Sequence, residues 1–297
     1  MSRANSTLIG AIAILLWSFL ALCTAASGDI PPFQLNAMAF AFGTLVGMAK
    51  WIKDPASIKK LRQPAKAWIL GVAGLFGYHL FYFTALRNAP TIDASLIGYL
   101  WPLLIVLFSS FLPGERLKWQ HIVGCLLGLA GAGLIVTGGQ GFAFKSEFAF
   151  GYFMALLSAL SWSTYSVLSR RFANVPTDTV TGFCAATAIL SLGGHLLWET
   201  TVLPQNIWQW VAVIGLGLGP LGLAFYVWDQ GVKHGDIQIL GAASYSAPLL
   251  STLILIIFGY AQFTWAVGAA CLLITFGAII ASKDMILKRK TAPINVN

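Results

Sequence analysis

The chain has 297 residues, of which 58% are hydrophobic and 9% charged, against roughly 25% charged in soluble domains. That composition excludes a water-soluble globular fold and indicates an integral membrane protein. The net charge of +8 is then no sign of nucleic acid but the sum of loop charges facing anionic lipid.

Stretches of about 20 apolar residues span a bilayer core. In chain order they fall near 7–27, 33–52, 67–87, 93–112, 119–138, 149–170, 179–198, 207–228, 237–258 and 264–286. The first has the outline of a cleavable signal, with Arg3 before it, Ala25-Ala26-Ser27 at its end and a lipoprotein-like Leu20-Ala21-Leu22-Cys23. It is read as a retained helix because of the repeat described below. The longest polar stretch, about 53–66, separates the second and third spans. The third carries Tyr78, His79 and Tyr82 within about 100° of helical arc. A tyrosine hydroxyl in an apolar region needs a partner or a wet cavity. His79 fits a proton relay or substrate contact, and equally a neutral histidine bonded to a neighbouring helix.

The fourth span places Ser95, Tyr99 and Pro102 at i, i+4 and i+7, on one face. Trp101 lies about 160° from Tyr99 on an ideal helix, so the two share a cavity only if Pro102 distorts the turn. Gly124, Gly128 and Gly131 in the fifth span suit close helix contact. Trp162 lies midway along the sixth, as Trp17 does in the first. The run Gly215-Leu-Gly217-Leu-Gly219-Pro220-Leu-Gly222 in the eighth has no preceding strand and no following lysine. It reads as a bent or loosely wound helix rather than a phosphate loop. The ninth repeats the fourth: Gly241, Tyr245 and Pro248 keep the same spacing. Within a helix, proline removes a backbone bond and frees a carbonyl, which in lipid needs a partner or a water-lined space. Pro102 and Pro248 are therefore candidate gating positions.

Two global patterns order these spans. With the N-terminus inside, sixteen of the 18 Lys and Arg face one side, leaving only Arg87 and Lys145 on the other. Basic residues accumulate in cytoplasmic loops, so both termini are expected in the cytoplasm, and a missed span would scramble the alternation. Secondly, a shift of 146 residues lays Tyr99-Leu-Trp-Pro102-Leu-Leu104 on Tyr245-Ser-Ala-Pro248-Leu-Leu250, Trp119 on Trp265 and Gly131-Ala132 on Gly277-Ala278. A shift of 145 lays Trp17-Ser18 on Trp162-Ser163. Each unit, 1–143 and 144–297, holds five spans, and duplicated units with an odd count must lie in opposite orientations. This is the inverted-repeat plan of many secondary transporters, with the site at the repeat interface near the midplane.

No Asp, Glu, Lys or Arg sits at the centre of a span. His79 is the only midspan group able to replace the carboxylate that ion-coupled pumps place at depth. Cys23, Cys125, Cys184 and Cys271 lie in apolar runs without C-x-x-C spacing and read as free thiols. No metal, cofactor or catalytic pair is indicated.

The ten spans, the five-plus-five repeat, Gly114-Glu115-Arg116-Leu117 before the fifth span, Gly124 and the Leu-Ala-Gly-Ala-Gly-Leu-Ile run at 129–135 resemble the EamA-type domains of the drug/metabolite transporter superfamily. Around Tyr78–Asn88 and Tyr99–Pro102 the likeness is to bacterial aromatic amino acid and paraquat exporters. The resemblance implies that spans 1, 3, 4, 6, 8 and 9 surround a central cavity. The second unit departs from the pattern, with Ala261-Gln262 where a Gly-Glu pair is expected, so any role of Glu115 is one-sided. The expectation is an all-α, multi-pass protein of the bacterial inner membrane. It would export aromatic or apolar amino acids and related metabolites by alternating access, with an organic-cation or other metabolite permease as the alternative. Candidate substrate-binding residues are Trp17, Tyr78, His79, Tyr82, Tyr99, Trp101, Trp162 and Tyr245. The expected partners are a small-molecule substrate and the lipid bilayer, and a monomer is compatible with all of this.

Overall fold

The computed structural model describes residues 1–140, 145–281 and 283. Among these the regular structure is helical and includes no strand. The long helical segments are α1 (Arg3–Ala26), α2 (Pro32–Lys53), α3 (Ala65–Asn88), α4 (Thr91–Ser109), α5 (Trp119–Thr137), α6 (Ala149–Ser169), α7 (Thr177–Trp198), α8 (Ile207–His234), α9 (Ile237–Ile257) and α10 (Trp265–Ala281). Eight of them are long and apolar enough to cross a membrane. The other two are α6, diluted by Ser158, Ser161, Ser163, Ser166 and Ser169, and α10, whose 17 residues fall short of that length. The unit boundary expected at 143/144 and the basic tail lie outside the described residues.

Several helices are interrupted. In α1 the break is at Ser18–Phe19, where the Ser18 hydroxyl donates to the Leu15 carbonyl, a back-bond that competes with the helix ladder. In α4 it falls at Tyr99–Leu100 and in α9 at Ser244–Tyr245. The structure corrects the picture of proline kinks in continuous helices. Each helix stops first and restarts, at Trp101 and at Ser246, so that Pro102 and Pro248 lie in a first turn. There the missing N–H costs nothing, because the first turn has no intrahelical acceptor for it.

A second kind of interruption is a π turn. One occupies Ala73–Gly77 in α3 and one Gly219–Leu223 in α8, 146 residues apart like the sequence repeat. The glycine-rich segment of α8 is thus loosened, as its composition suggested, whereas its counterpart in α3 was not visible beforehand. Carbonyls in these turns find side-chain donors. Ser161 Oγ donates to Ala73 O at 2.8 Å, and Trp17 Nε1 donates to Pro220 O at 3.1 Å.

The packing pairs α5 with α10, α2 with α7, α1 with α8 and α3 with α6. Between apolar helices in lipid, close approach through small residues replaces the hydrophobic drive. A Cβ on Gly124 would lie 2.5 Å from Gly277 O, and one on Gly10 would lie 2.8 Å from Gly231 Cα. Within this packing α1, α3, α4, α6, α8 and α9 surround one interior space, whose lining all six share.

Candidate substrate cavity

That space is a cavity of about 200 Å³. Its walls hold Trp17, Leu20 and Ala21 from α1; Tyr78, His79 and Tyr82 from α3; Ser95, Gly98, Tyr99 and Trp101 from α4; Trp162 from α6; Leu221 and Phe225 from α8; and Ala247, Pro248 and Ser251 from α9. Seven sequence-derived candidates therefore meet: Trp17, Tyr78, His79, Tyr82, Tyr99, Trp101 and Trp162. Tyr99 and Trp101 share the cavity because the helix is broken between them, which removes the 160° separation of an ideal helix.

Below the cavity the aromatics form a floor. Trp17 meets Trp162 edge to face at 5.6 Å and Trp101 at 6.1 Å, and Trp228 lies under Trp17 at 5.0 Å. Trp228 is fully buried and donates from Nε1 to Ser166 Oγ at 3.1 Å. On the wall, Tyr78 and Tyr82 stack with ring centres 5.9 Å apart and planes 6° apart. Tyr82 and Ser95 share a hydroxyl hydrogen bond of 3.2 Å. His79 is buried against Phe40, Tyr78 and Phe83, with Nδ1 2.7 Å from Leu75 O. Among the described residues, no carboxylate, ammonium or guanidinium lines the cavity. A flat, apolar ring can stack here, and a cation can sit against ring faces.

Tyr245 is placed elsewhere. It is fully buried against Gly128 of α5, and its hydroxyl accepts a bond from the Leu103 backbone N–H at 3.2 Å. That N–H lies in the first turn after the α4 break, so Tyr245 supplies the acceptor the break removes. It holds α4 in its broken form and does not touch the cavity. Pro248 lines the cavity, whereas Pro102 is buried outside it. Phe225 and Trp228 were missed from the sequence. The repeat held the signal, since a shift of 146 places His79 on Phe225 and Tyr82 on Trp228.

The cavity occupies one half of the bundle, and the two ends differ. Beyond the tryptophan floor, Glu115 is buried between Arg3 at 3.0 Å and Arg170 at 2.9 Å, and Arg3 also reaches Asp236 at 3.2 Å. Arg170 Nη1 donates to Gly235 O at 2.8 Å. Burial pulls the Arg170 guanidinium below its usual pKa, and the neighbouring Glu115 opposes that. At the opposite end, buried Glu199 accepts from Arg87 at 2.8 Å and from the backbone N–H groups of Phe33 and Gln34 at the start of α2. Charge at a helix N-terminus is favourable for a carboxylate.

Among the described residues, no group of three or more His, Cys, Asp or Glu side chains is placed to hold a metal. The four cysteines are free.

Comparison with known proteins agrees with this geometry. Residues 5–137 and again 149–283 match the EamA-like transporter family. A protein of Ancylobacter novellus named aromatic amino acid exporter YddG is 52% identical over 95% of this chain and 98% of its own length. Its Escherichia coli namesake is 27% identical over 94% and 97%. A pseudopaline exporter of Pseudomonas aeruginosa, CntI, is 25% identical over 91% and 90%. One crystal structure superposes with a TM-score of 0.91 at 51% identity, covering 95% of this chain and 98% of that one.

Proposed function

Since the chain belongs to the EamA-like transporter family, we propose that it exports aromatic and apolar amino acids and related small metabolites across the bacterial inner membrane by alternating access. The observation that carries this reading is the uncharged cavity walled by Trp17, Tyr78, Tyr82, Tyr99, Trp101 and Trp162. The names of the relatives point the same way. Stacking on tyrosine and tryptophan faces supplies affinity for a flat side chain. A zwitterion has no net charge to leave unpaired, so hydroxyls, indole N–H groups and ring faces suffice for its ends. The cation–π capacity of the same walls favours organic cations as a second substrate class.

The protein crosses the membrane ten times in this reading, as two five-helix units of opposite orientation with both termini in the cytoplasm. The recurrence of π turns at one offset supports it. So do the pairings, because exchanging the units carries α1–α8 onto α6–α3 and leaves α2–α7 and α5–α10 in place. The Arg170 end then faces the cytoplasm and the cavity half faces outward. Inward opening requires the ion pairs around Glu115 to part.

Counterflow in proteoliposomes tests the function. Internal phenylalanine or tryptophan should drive uptake of the labelled species, whereas a sugar should not. No counterflow with any aromatic amino acid overturns the reading. Cysteine labelling of the 54–64 segment in intact cells tests the orientation, and labelling by an impermeant reagent added outside sinks it.

A further inference from the structure

We propose that Nε2 of His79 accepts a hydrogen bond from the substrate's ammonium group and so selects free amino acids over their deaminated analogues. The proposal rests on the reading of the cavity as an amino acid site.

His79 sits two residues past the π turn of α3, and its Nδ1 lies 2.7 Å from the Leu75 carbonyl oxygen. A carbonyl oxygen only accepts, so Nδ1 carries the proton. In a neutral imidazole the other nitrogen, Nε2, is then a bare acceptor. Three rings confine the imidazole: Phe40 at 5.3 Å, Tyr78 at 5.1 Å and Phe83 at 5.8 Å. With its first nitrogen tethered and three rings set edge to face around it, the ring has a fixed orientation. Nε2 has no protein partner among the described residues. It is also not among the fully buried atoms that lack one. His79 lines the cavity, which is where that lone pair is accessible.

The hydroxyls of Tyr78, Tyr99 and Ser251 also line the cavity and can accept, but each donates as well, which leaves this nitrogen a distinct role as an acceptor that cannot donate. Indole N–H groups donate only, and that of Trp17 already serves Pro220 O. The hydroxyls of Tyr82 and Ser95 are paired with each other. Among the described residues of the lining, Nε2 is the only ring nitrogen that can accept. An ammonium group has three N–H donors and needs acceptors where no carboxylate is present. One lone pair beside the stacked faces of Tyr78 and Tyr82 offers both a hydrogen bond and a cation–π contact.

The test compares phenylalanine with 3-phenylpropionate, which keeps ring and carboxylate and lacks the ammonium. Binding is read from the cavity's tryptophan fluorescence. In the wild type phenylalanine should bind tighter. In His79→Leu that preference should fall by about tenfold or more, the scale of a hydrogen bond to a charged group. 3-Phenylpropionate affinity should change by less than about twofold, and His79→Gln, which keeps an acceptor, should restore part of the preference. An unchanged preference in His79→Leu, or equal losses for both ligands, overturns the proposal. Should the variants fold poorly, histidine ¹⁵N NMR on the wild-type protein decides. A neutral ring protonated at Nδ1, whose Nε2 signal moves with phenylalanine and not with 3-phenylpropionate, supports the proposal. Protonation at Nε2 overturns it. Absence of phenylalanine binding by the wild type would fail the underlying functional reading instead.

Discussion

At the Arg170 end, charged side chains from four places in the sequence meet: Arg3 opening α1, Glu115 between α4 and α5, Arg170 after α6 and Asp236 before α9. At the Glu199 end the charged contacts tie α3 and α7 to the start of α2. Among the described residues no ion pair there joins α1, α4, α6 and α9, although Tyr152 of α6 donates a hydrogen bond to Asp93 of α4. The backbone devices of the two units repeat, with a π turn in α3 and α8 and a break in α4 and α9. The charges do not repeat, because the position of Glu115 is taken by Ala261-Gln262 in the second unit. If the two units exchange roles during transport, the Glu115 carboxylate, which has no counterpart in the second unit, weights one of the two arrangements.

The sharpest way to break that comparison is Glu115→Gln. Removing one partner of a fully buried ion pair costs about 3–5 kcal/mol. Glu115 is buried and serves two guanidiniums, but Arg3 is half-exposed and Arg170 partly so, so solvent screening makes the loss here smaller. That loss falls on the closed Arg170 end. A cysteine at Ala21 in the cavity wall, in a background without the four native cysteines, should label from the Arg170 side at least about tenfold faster, a shift of about 1.4 kcal/mol. Labelling from that side at the parental rate would show that the ion cluster does not hold the end closed. Arg3→Gln should act in the same direction but more weakly, because Arg3 is half-exposed.

Next in size are the cavity walls. Tyr78→Ala or Tyr82→Ala removes half of a stacked pair, and aromatic pairs contribute about 0.5–1.5 kcal/mol beyond area burial. Transport of aromatic substrates should fall about tenfold while folded yield holds. Normal transport by both variants would remove this wall from the pathway.

These walls were legible in the sequence for a physical reason. Tyr, Trp and His at midspan are costly in lipid unless something polar meets them, so their presence at Tyr78, Tyr99 and Trp162 signals an interior face. Phe225 and Trp228 were not legible that way, because Phe fits lipid and Trp228 lies six residues from the end of α8. Only the repeat offset points to them. The π turn in α3 left no mark in composition, since Ala73-Gly-Leu-Phe-Gly77 also reads as ordinary membrane helix. Tyr245 misled because the repeat equates residues and not environments. Its partner Tyr99 faces the cavity, whereas Tyr245 spans the gap between α9 and the broken α4.

Tyr245→Phe tests that distinction. It leaves the half-buried Leu103 N–H without its acceptor, a loss toward the lower end of the about 1–3 kcal/mol of a buried unsatisfied donor. The variant should melt several degrees lower and keep the substrate preference of the parent. Loss of aromatic selectivity at unchanged stability would return Tyr245 to the site.

The smallest effects belong to the prolines. A proline inside a helix costs about 3 kcal/mol, but Pro102 and Pro248 lie in the first turns of restarted segments. Removing a proline from a compatible site destabilises by only about 0.4–1 kcal/mol, largely through the unfolded chain. Pro102→Ala and Pro248→Ala should therefore both fold. Each restores an N–H and lowers the barrier to a continuous helix, yet the two act toward opposite ends. The segment after Pro102 leads to Glu115 and the Arg170 end, whereas the segment after Pro248 leads away from Asp236 toward the other. Straightening α4 should move the closed end, and straightening α9 should move the open one. The expected result is a shift in side-specific cysteine labelling of about twofold to fivefold, of opposite sign in the two variants. Shifts of the same sign, or none with flux intact, would mean that the breaks at Tyr99–Leu100 and Ser244–Tyr245 are fixed packing features and that the two ends open by motion of whole helices.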